Sequence, residues 1–210
     1  MKLKILSIAI AATVLTGCLT TTSYVDPKFA DIDYSAIQKS ESLTPVKIEV
    51  DFERNGEDFK KGNSLVTTVV TDVLAKSGVY EIDETSDNTL FVRVNNVADM
   101  DEAMKQGFKT GLTFGASGTT VSDLYEIEIA YTGEGGEMSK EYSHALHTTI
   151  GNEEAPFANV TGQKPQAAFD SMLEDVLLTF IKDNQVMTTS ENDEVPYINN
   201  YASSAWKLLP

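Results

Sequence analysis

The sequence predicts an α+β domain: one mixed, mostly antiparallel sheet with two helices packed on one face. Three observations lead to this fold class. Apolar and polar residues alternate in four segments, apolar residues recur at helical spacing in two others, and these main segments follow the order strand, helix, strand, strand, strand, helix. The chain of 210 residues is long enough for one such core, and its 41% hydrophobic content excludes global disorder.

Alternation predicts the strands. The first starts at Pro45, and its apolar residues alternate with charged ones up to Glu53. A short strand at 79–82 and a longer one at 90–94 follow. The cleanest alternation runs over 125–131, and a glycine-rich turn at 133–136 precedes a returning strand that ends at 150. The last two strands should form an antiparallel hairpin, whereas the first strand–helix–strand segment is long enough for a parallel crossover.

Helical spacing predicts two helices. Asn63 or Ser64 could cap the first, and Gly78 fits just past its end. The second starts near Pro165 and ends near Asn184. Their apolar stripes consist of Leu65, Val66, Val69, Val70, Val73 and Leu74 in the first and Phe169, Met172, Leu173, Val176, Leu177, Phe180 and Ile181 in the second.

The first eighteen residues indicate export. Lys2 and Lys4 precede an apolar run that is too short to span a bilayer, which is typical of a signal peptide. The run ends in Leu15-Thr16-Gly17-Cys18, which resembles the lipobox of bacterial lipoproteins and contains the only Cys of the chain. The resemblance implies cleavage before Cys18 and lipid attachment to it; the alternative is an ordinary small residue in a conventionally cleaved signal. By the same resemblance, Leu19, a residue other than Asp after the Cys, implies sorting to the outer membrane, facing the periplasm.

These features divide the chain into four parts. Residues 1–17 are the signal peptide, 18–44 the lipidated Cys and a tether, 45–184 the α+β domain and 185–210 a polar C-terminal tail. As a flexible coil the tether would span on the order of 30 Å. Its apolar residues could dock part of it onto the domain: Tyr24, Phe29, Tyr34 and Ile37.

The domain also carries a family resemblance. The helix that ends in Ser77-Gly78-Val79-Tyr80, the strand pair 90–94 and 125–131, and the helix of 167–181 are similar to small outer-membrane lipoproteins of the YajG, CsgG and TolB N-terminal-like type. The resemblance covers most of 46–184 and rests on patterning and spacing. It implies a role in envelope assembly or transport and supplies no catalytic residues.

Charge and composition exclude several classes of function. The net charge of −16 is incompatible with a nucleic-acid footprint, which needs clustered Lys and Arg. One Cys excludes an internal disulfide and a Cys-based zinc cage. His144 and His147 are three residues apart on a predicted strand, so they should point to opposite faces and cannot share a metal ion. The sequence thus predicts neither a metal site nor a cofactor.

One combination of residues invites comparison with a hydrolase. Ser117, Asp123 and His144 fall in Ser-Asp-His order, but Ser117 lacks the G-x-S-x-G spacing and does not lie between a strand and a helix. The sequence therefore favours a protein that is not an enzyme.

The segment 107–118 is unusual because it contains four glycines, interleaved apolar residues and no acidic residue. As a contact surface it would use Phe108, Gly111, Leu112, Phe114 and Gly115. A mobile excursion between two strands explains the same pattern. The favoured function is a non-catalytic, lipid-anchored docking or assembly module with a protein partner in the envelope. The alternatives are a carrier or chaperone that holds a lipid or another apolar ligand under this segment, and a small hydrolase that uses Ser117.

Overall fold

The computed structural model describes residues 20–28, 32–97, 118–133 and 136–190, with side chains up to residue 185. Within these residues the strands are β1 (Thr21–Val25), β2 (Thr44–Arg54), β3 (Glu57–Asp58), β4 (Tyr80–Ile82), β5 (Thr89–Val97), β6 (Thr119–Gly133) and β7 (Gly136–Ile150). The helices are α1 (Asn63–Ser77) and α2 (Pro165–Ser190), and a 3-10 turn covers Tyr34–Ala36.

The described strands form one mixed sheet in the order β1-β7-β6-β5-β2-β3, and β4 pairs with β2 as well. β2 is parallel to β4 and β5, whereas β1–β7, β2–β3 and β5–β6 are antiparallel pairs. Two residues connect β6 to β7, and a connection this short requires an antiparallel pair. The α+β class with one mixed sheet and two helices is therefore confirmed.

Alternation along the strands separates a buried face from an open one. Leu90, Val92 and Val94 of β5 are at most 1% exposed, as are Ile127 and Ile129 of β6. The apolar stripes of both helices are buried as well, except for the half-buried Leu65. The buried residues include Val66, Val70 and Leu74 of α1 and Met172, Leu173, Leu177 and Phe180 of α2. Burial of each of these side chains contributes roughly 1.5–3 kcal/mol, which outweighs the weak helix propensity of the valines in α1.

The start of α1 differs from the prediction. Neither Asn63 nor Ser64 is the cap; the N-cap is Gly62, without a side-chain hydrogen bond. Asn63 instead binds the outer edge of β2. Its Oδ1 accepts a 3.0 Å hydrogen bond from the Phe52 N–H, and its Nδ2 donates a 3.2 Å bond to the Val50 carbonyl. Between β4 and β3, where no described strand pairs with this edge of β2, the Asn63 side chain makes the hydrogen bonds that a neighbouring strand would make.

Glycine is required at both ends of α1. A Cβ on Gly62 would lie 2.5 Å from the Phe52 ring, so only glycine lets the chain enter the helix this close to β2. Gly78 ends the helix in the left-handed conformation at φ 69°, as its position in the sequence predicts.

Part of the predicted tether is a strand. β1 pairs with β7 over five residues, and the hydroxyl oxygens of Ser23 and Thr148 are 2.7 Å apart. The backbone of Ser23 also exchanges two 2.8 Å hydrogen bonds with Gln163. Tyr24 and Ile37 are buried, as expected for docked residues. Residues 18–44 are therefore not one continuous coil. α2 likewise runs to Ser190, six residues past its predicted end at Asn184.

The described residues belong to two compact units. One contains 20–26, 118–123 and 145–169; the other contains 27–28, 32–97, 124–133, 136–144 and 170–190. None of the helices in this part of the chain has the length and apolar character needed to cross a bilayer.

Candidate functional site

The open face of the sheet in the second unit carries a groove of about 380 Å³. We call this the acidic groove because four of its nine lining residues are glutamates and only one is an arginine. The lining residues are Glu53, Arg93, Asn95, Glu126, Ile127, Glu128, Glu141, Tyr142 and Ser143. The strand register explains the clustering. In the ladder of β5 and β6, Arg93 lies opposite Glu128 and Asn95 lies opposite Glu126, so alternate residues of adjacent strands converge on one surface.

Two of the four carboxylates have partners inside the groove. Glu128 accepts from Arg93 at 2.7 Å, and Glu126 accepts from Asn95 Nδ2 at 2.9 Å. The Asn95 carbonyl oxygen in turn accepts a 3.0 Å bond from the backbone N–H of Gly56. These contacts hold the side chains of Arg93 and Asn95 beside the glutamates of β6.

The carboxylates of Glu53 and Glu141 make no hydrogen bond or ion pair with a described residue. Since Arg93 is the one cation among the lining residues, the groove carries three net negative charges. Tyr142 adds no further negative charge, because burial and the negative charge of Asp183 raise the pKa of its hydroxyl and keep it neutral. The groove therefore attracts cations and repels anions.

A different arrangement lies in the other unit. Ser122 Oγ is 2.7 Å from His147 Nδ1, and His147 Nε2 is 3.2 Å from Asp26 Oδ2. We call these three residues the Ser-His-Asp chain. The imidazole also packs edge-on against Phe157, with 5.0 Å between ring centroids and an angle of 80°.

Strand pairing brings the Ser-His-Asp chain together. Ser122 belongs to β6 and His147 to β7, the two strands joined at residues 134–135. β1 places Tyr24 opposite His147, and Asp26 follows two residues later, its backbone N–H bonded to the Ala145 carbonyl at 3.1 Å. β6 and β7 thus supply Ser122 and His147, and Asp26 comes from the residue that directly follows β1.

Several predicted site residues lie outside the described residues: Cys18, Phe108, Gly111, Leu112, Phe114, Gly115 and Ser117. The two histidines lie on β7, as predicted; His144 is 3% exposed, and His147 is part of the Ser-His-Asp chain. Among the described residues, no group of three or more His, Cys, Asp or Glu is arranged to hold a metal ion.

Sequence reasoning overlooked Ser122 and Asp26. A signal for Ser122 is present, because counting outward from the turn at 133–136 puts it opposite His147 in an antiparallel hairpin. Asp26 has no comparable signal, since it is separated from His147 by 121 residues. The acidic groove was overlooked for a similar reason: its glutamates come from β2, β6 and β7.

Comparison with known proteins identifies no family. No protein-family model matches the chain, and no curated protein matches it. Among solved structures, the chain is similar to a dodecamer of a PelC variant from Paraburkholderia phytofirmans, with 9% identity, a TM-score of 0.33 and coverage of 76% of this chain and 94% of that one. An uncharacterized protein gives 12% identity, a TM-score of 0.24 and coverage of 75% and 95%. We draw no functional argument from likenesses this weak.

Proposed function

We propose that this protein is a lipid-anchored envelope protein that acts as a docking module and binds a basic segment of a partner protein in the acidic groove. The observation that carries the proposal is the pair of carboxylates, on Glu53 and Glu141, that face the groove without a described partner. A Lys or Arg side chain would supply the missing charge. Arg93 and Asn95 would keep the neighbouring glutamates in place while the segment binds.

The geometry of the open face suits an extended segment. The groove runs across β2, β5, β6 and β7, and its walls are side chains of one sheet, so we expect little backbone movement on binding. Binding of this kind depends on electrostatic attraction between partly exposed groups. The affinity should therefore fall as salt screens the charges.

The binding test uses a fluorescent Lys- and Arg-rich peptide and a Glu-rich peptide of the same length. We expect the basic peptide to bind and the acidic one not to bind, as measured by fluorescence anisotropy. The double variant Glu53→Gln/Glu141→Gln should weaken binding at least tenfold. Glu81→Gln on β4 is the control, because Glu81 is a strand glutamate that is exposed to solvent like Glu141 but does not line the groove. Equal affinity for the double variant and the wild type would contradict the proposal.

The partner can be sought directly in cells. A photo-crosslinking amino acid in place of Ser143, at the rim of the groove, should capture one envelope protein through a basic segment. The same amino acid in place of Glu81 should not capture it. Capture from both positions would show that the groove is not the docking site.

The lipid anchor is proposed on the sequence, because Leu15-Thr16-Gly17-Cys18 resembles a lipobox. Cys18 would then hold the protein on the outer membrane, facing the periplasm. Intact mass and detergent partitioning of the wild type and of Cys18→Ser test this. The wild type should carry a lipid mass increment and enter the detergent phase, and the variant should do neither. Identical behaviour of the two proteins would exclude the anchor.

A further inference from the structure

We propose that Ser122 is a nucleophile activated by His147 and positioned through Asp26, and that it accepts acyl groups from neutral carboxylic esters. This activity goes beyond the docking role and departs from the absence of catalysis that the sequence favours. It uses residues of the other unit and none of those that line the acidic groove. The two proposals can therefore fail independently.

The two hydrogen bonds of His147 favour the imidazole tautomer that can accept a proton from Ser122. Asp26 Oδ2 is an acceptor 3.2 Å from His147 Nε2, so the neutral imidazole carries its proton on Nε2. Nδ1 is then unprotonated and lies 2.7 Å from Ser122 Oγ. It can accept the hydroxyl proton, which is the role of a general base in acyl transfer.

Ser122 is more exposed than His147 and Asp26. Ser122 is exposed, whereas the side chains of His147 and Asp26 are each 19% exposed. A substrate can therefore reach the hydroxyl while the base and its partner stay largely shielded from water. Phe157 packs on the imidazole and limits its rotation. If the Ser-His-Asp chain only held strands together, Ser122 would not need to be exposed to solvent.

The proposed reaction balances as follows. Ser122 Oγ attacks the acyl carbon, its proton moves to His147 Nδ1, and the leaving alkoxide takes that proton and departs as an alcohol. Water then attacks the acyl-serine, with its proton passing through Nδ1 to Ser122 Oγ, and a carboxylic acid is released. An uncharged ester is the favoured substrate class, because the chain carries a net charge of −16 and repels anions.

The test uses the full chain in detergent with a fluorophosphonate probe and, as a substrate, p-nitrophenyl acetate. We expect one adduct per chain, located on Ser122 by peptide mass spectrometry. Ser122→Ala should abolish labelling, and His147→Gln should slow it about 100-fold, since general-base catalysis contributes at least that much. Ester hydrolysis should fall in parallel. Ser64→Ala, which removes an exposed hydroxyl from α1, should label like the wild type.

Asp26 is a positioning residue, and its role needs a separate readout. Asp26→Asn should slow labelling at least tenfold, and Asp26→Glu, which restores a carboxylate, should label faster than Asp26→Asn. Thermal melting of each variant shows whether the fold is intact. An adduct on another residue, no adduct on the wild type, or unchanged labelling of a folded His147→Gln would overturn the proposal. The Ser-His-Asp chain would then be a structural link between strands.

Discussion

The two faces of the sheet in the second unit are built from alternate residues of the same strands. On β5, Leu90, Val92 and Val94 are at most 1% exposed, whereas Arg93 and Asn95, between and beside them, line the acidic groove. One face is uniform in chemistry and closely packed; the other collects like charges that repel one another. We therefore expect stability to depend mainly on the helix-covered face, and the proposed docking to depend on the open one.

The largest effect should come from a change on the covered face. Ile127→Ala should lower the free energy of unfolding by about 2–5 kcal/mol, because Ile127 is 1% exposed and its loss leaves a cavity. Glu126→Ala, one residue earlier on the open face, should change it by no more than about 0.5 kcal/mol. Urea denaturation measures both. If both variants lost the same free energy of unfolding, the covered face would not contribute more to stability than the open face.

The edge of β2 should be the next most sensitive position. Asn63→Ala should lower the free energy of unfolding by about 1–3 kcal/mol, because the Phe52 N–H and the Val50 carbonyl both lose their bonds to the Asn63 side chain. Asn63→Asp, which keeps the acceptor and loses the donor, should cost less. If both variants are as stable as the wild type in urea denaturation, water replaces Asn63 at this edge without penalty.

Burial of the Tyr34 side chain makes the stability of the folded protein depend on pH in the alkaline range. Burial, followed by the negative charges of Glu174 and Asp72, raises the pKa of its hydroxyl from 10.0 to about 12. The neutral form is thus favoured in the folded protein, so the stabilisation is complete below pH 10 and is lost as the pH rises from 10 to 12. Tyr34→Phe should show a flatter decline of the melting temperature over this range. A decline as steep as that of the wild type would assign the effect to other groups, among them Tyr142.

The smallest effect should come from the ion pair on the open face. Arg93 and Glu128 are 2.7 Å apart, but their side chains remain 41% and 26% exposed, and solvent screens such pairs. Arg93→Ala should therefore change the free energy of unfolding by less than about 1 kcal/mol. It should also tighten binding of a basic peptide, because the groove loses its cation. A loss larger than that of Asn63→Ala would mean that the open face contributes to stability.

The sequence was sufficient where a pattern is local. Alternation at 125–131 correctly predicts that Ile127, Ile129 and Tyr131 are buried, and helical spacing at 65–74 correctly predicts five buried residues of α1. Tyr125 and Leu65, the first residues of the two patterns, are only half-buried. The sequence was insufficient where the position of an element depends on residues that are far away along the chain. β1 has the sequence Thr-Thr-Ser-Tyr-Val, without an apolar stripe, and is held by β7 and Gln163. The Ser-His-Asp chain also depends on that pairing, so no local pattern reveals it.

The position of β1 limits the freedom of a lipid-anchored molecule. Three peptide links separate Cys18 from Thr21, and they span at most about 11 Å. A lipid on Cys18 would therefore hold the β1 edge within that distance of the acylated residue. A fully flexible tether would instead allow a separation of about 30 Å. With such an anchor, the search for a partner would become two-dimensional, and one edge of the sheet would stay close to the leaflet. A partner fixed in the same membrane would then meet this protein at a raised effective concentration, which compensates for a modest affinity.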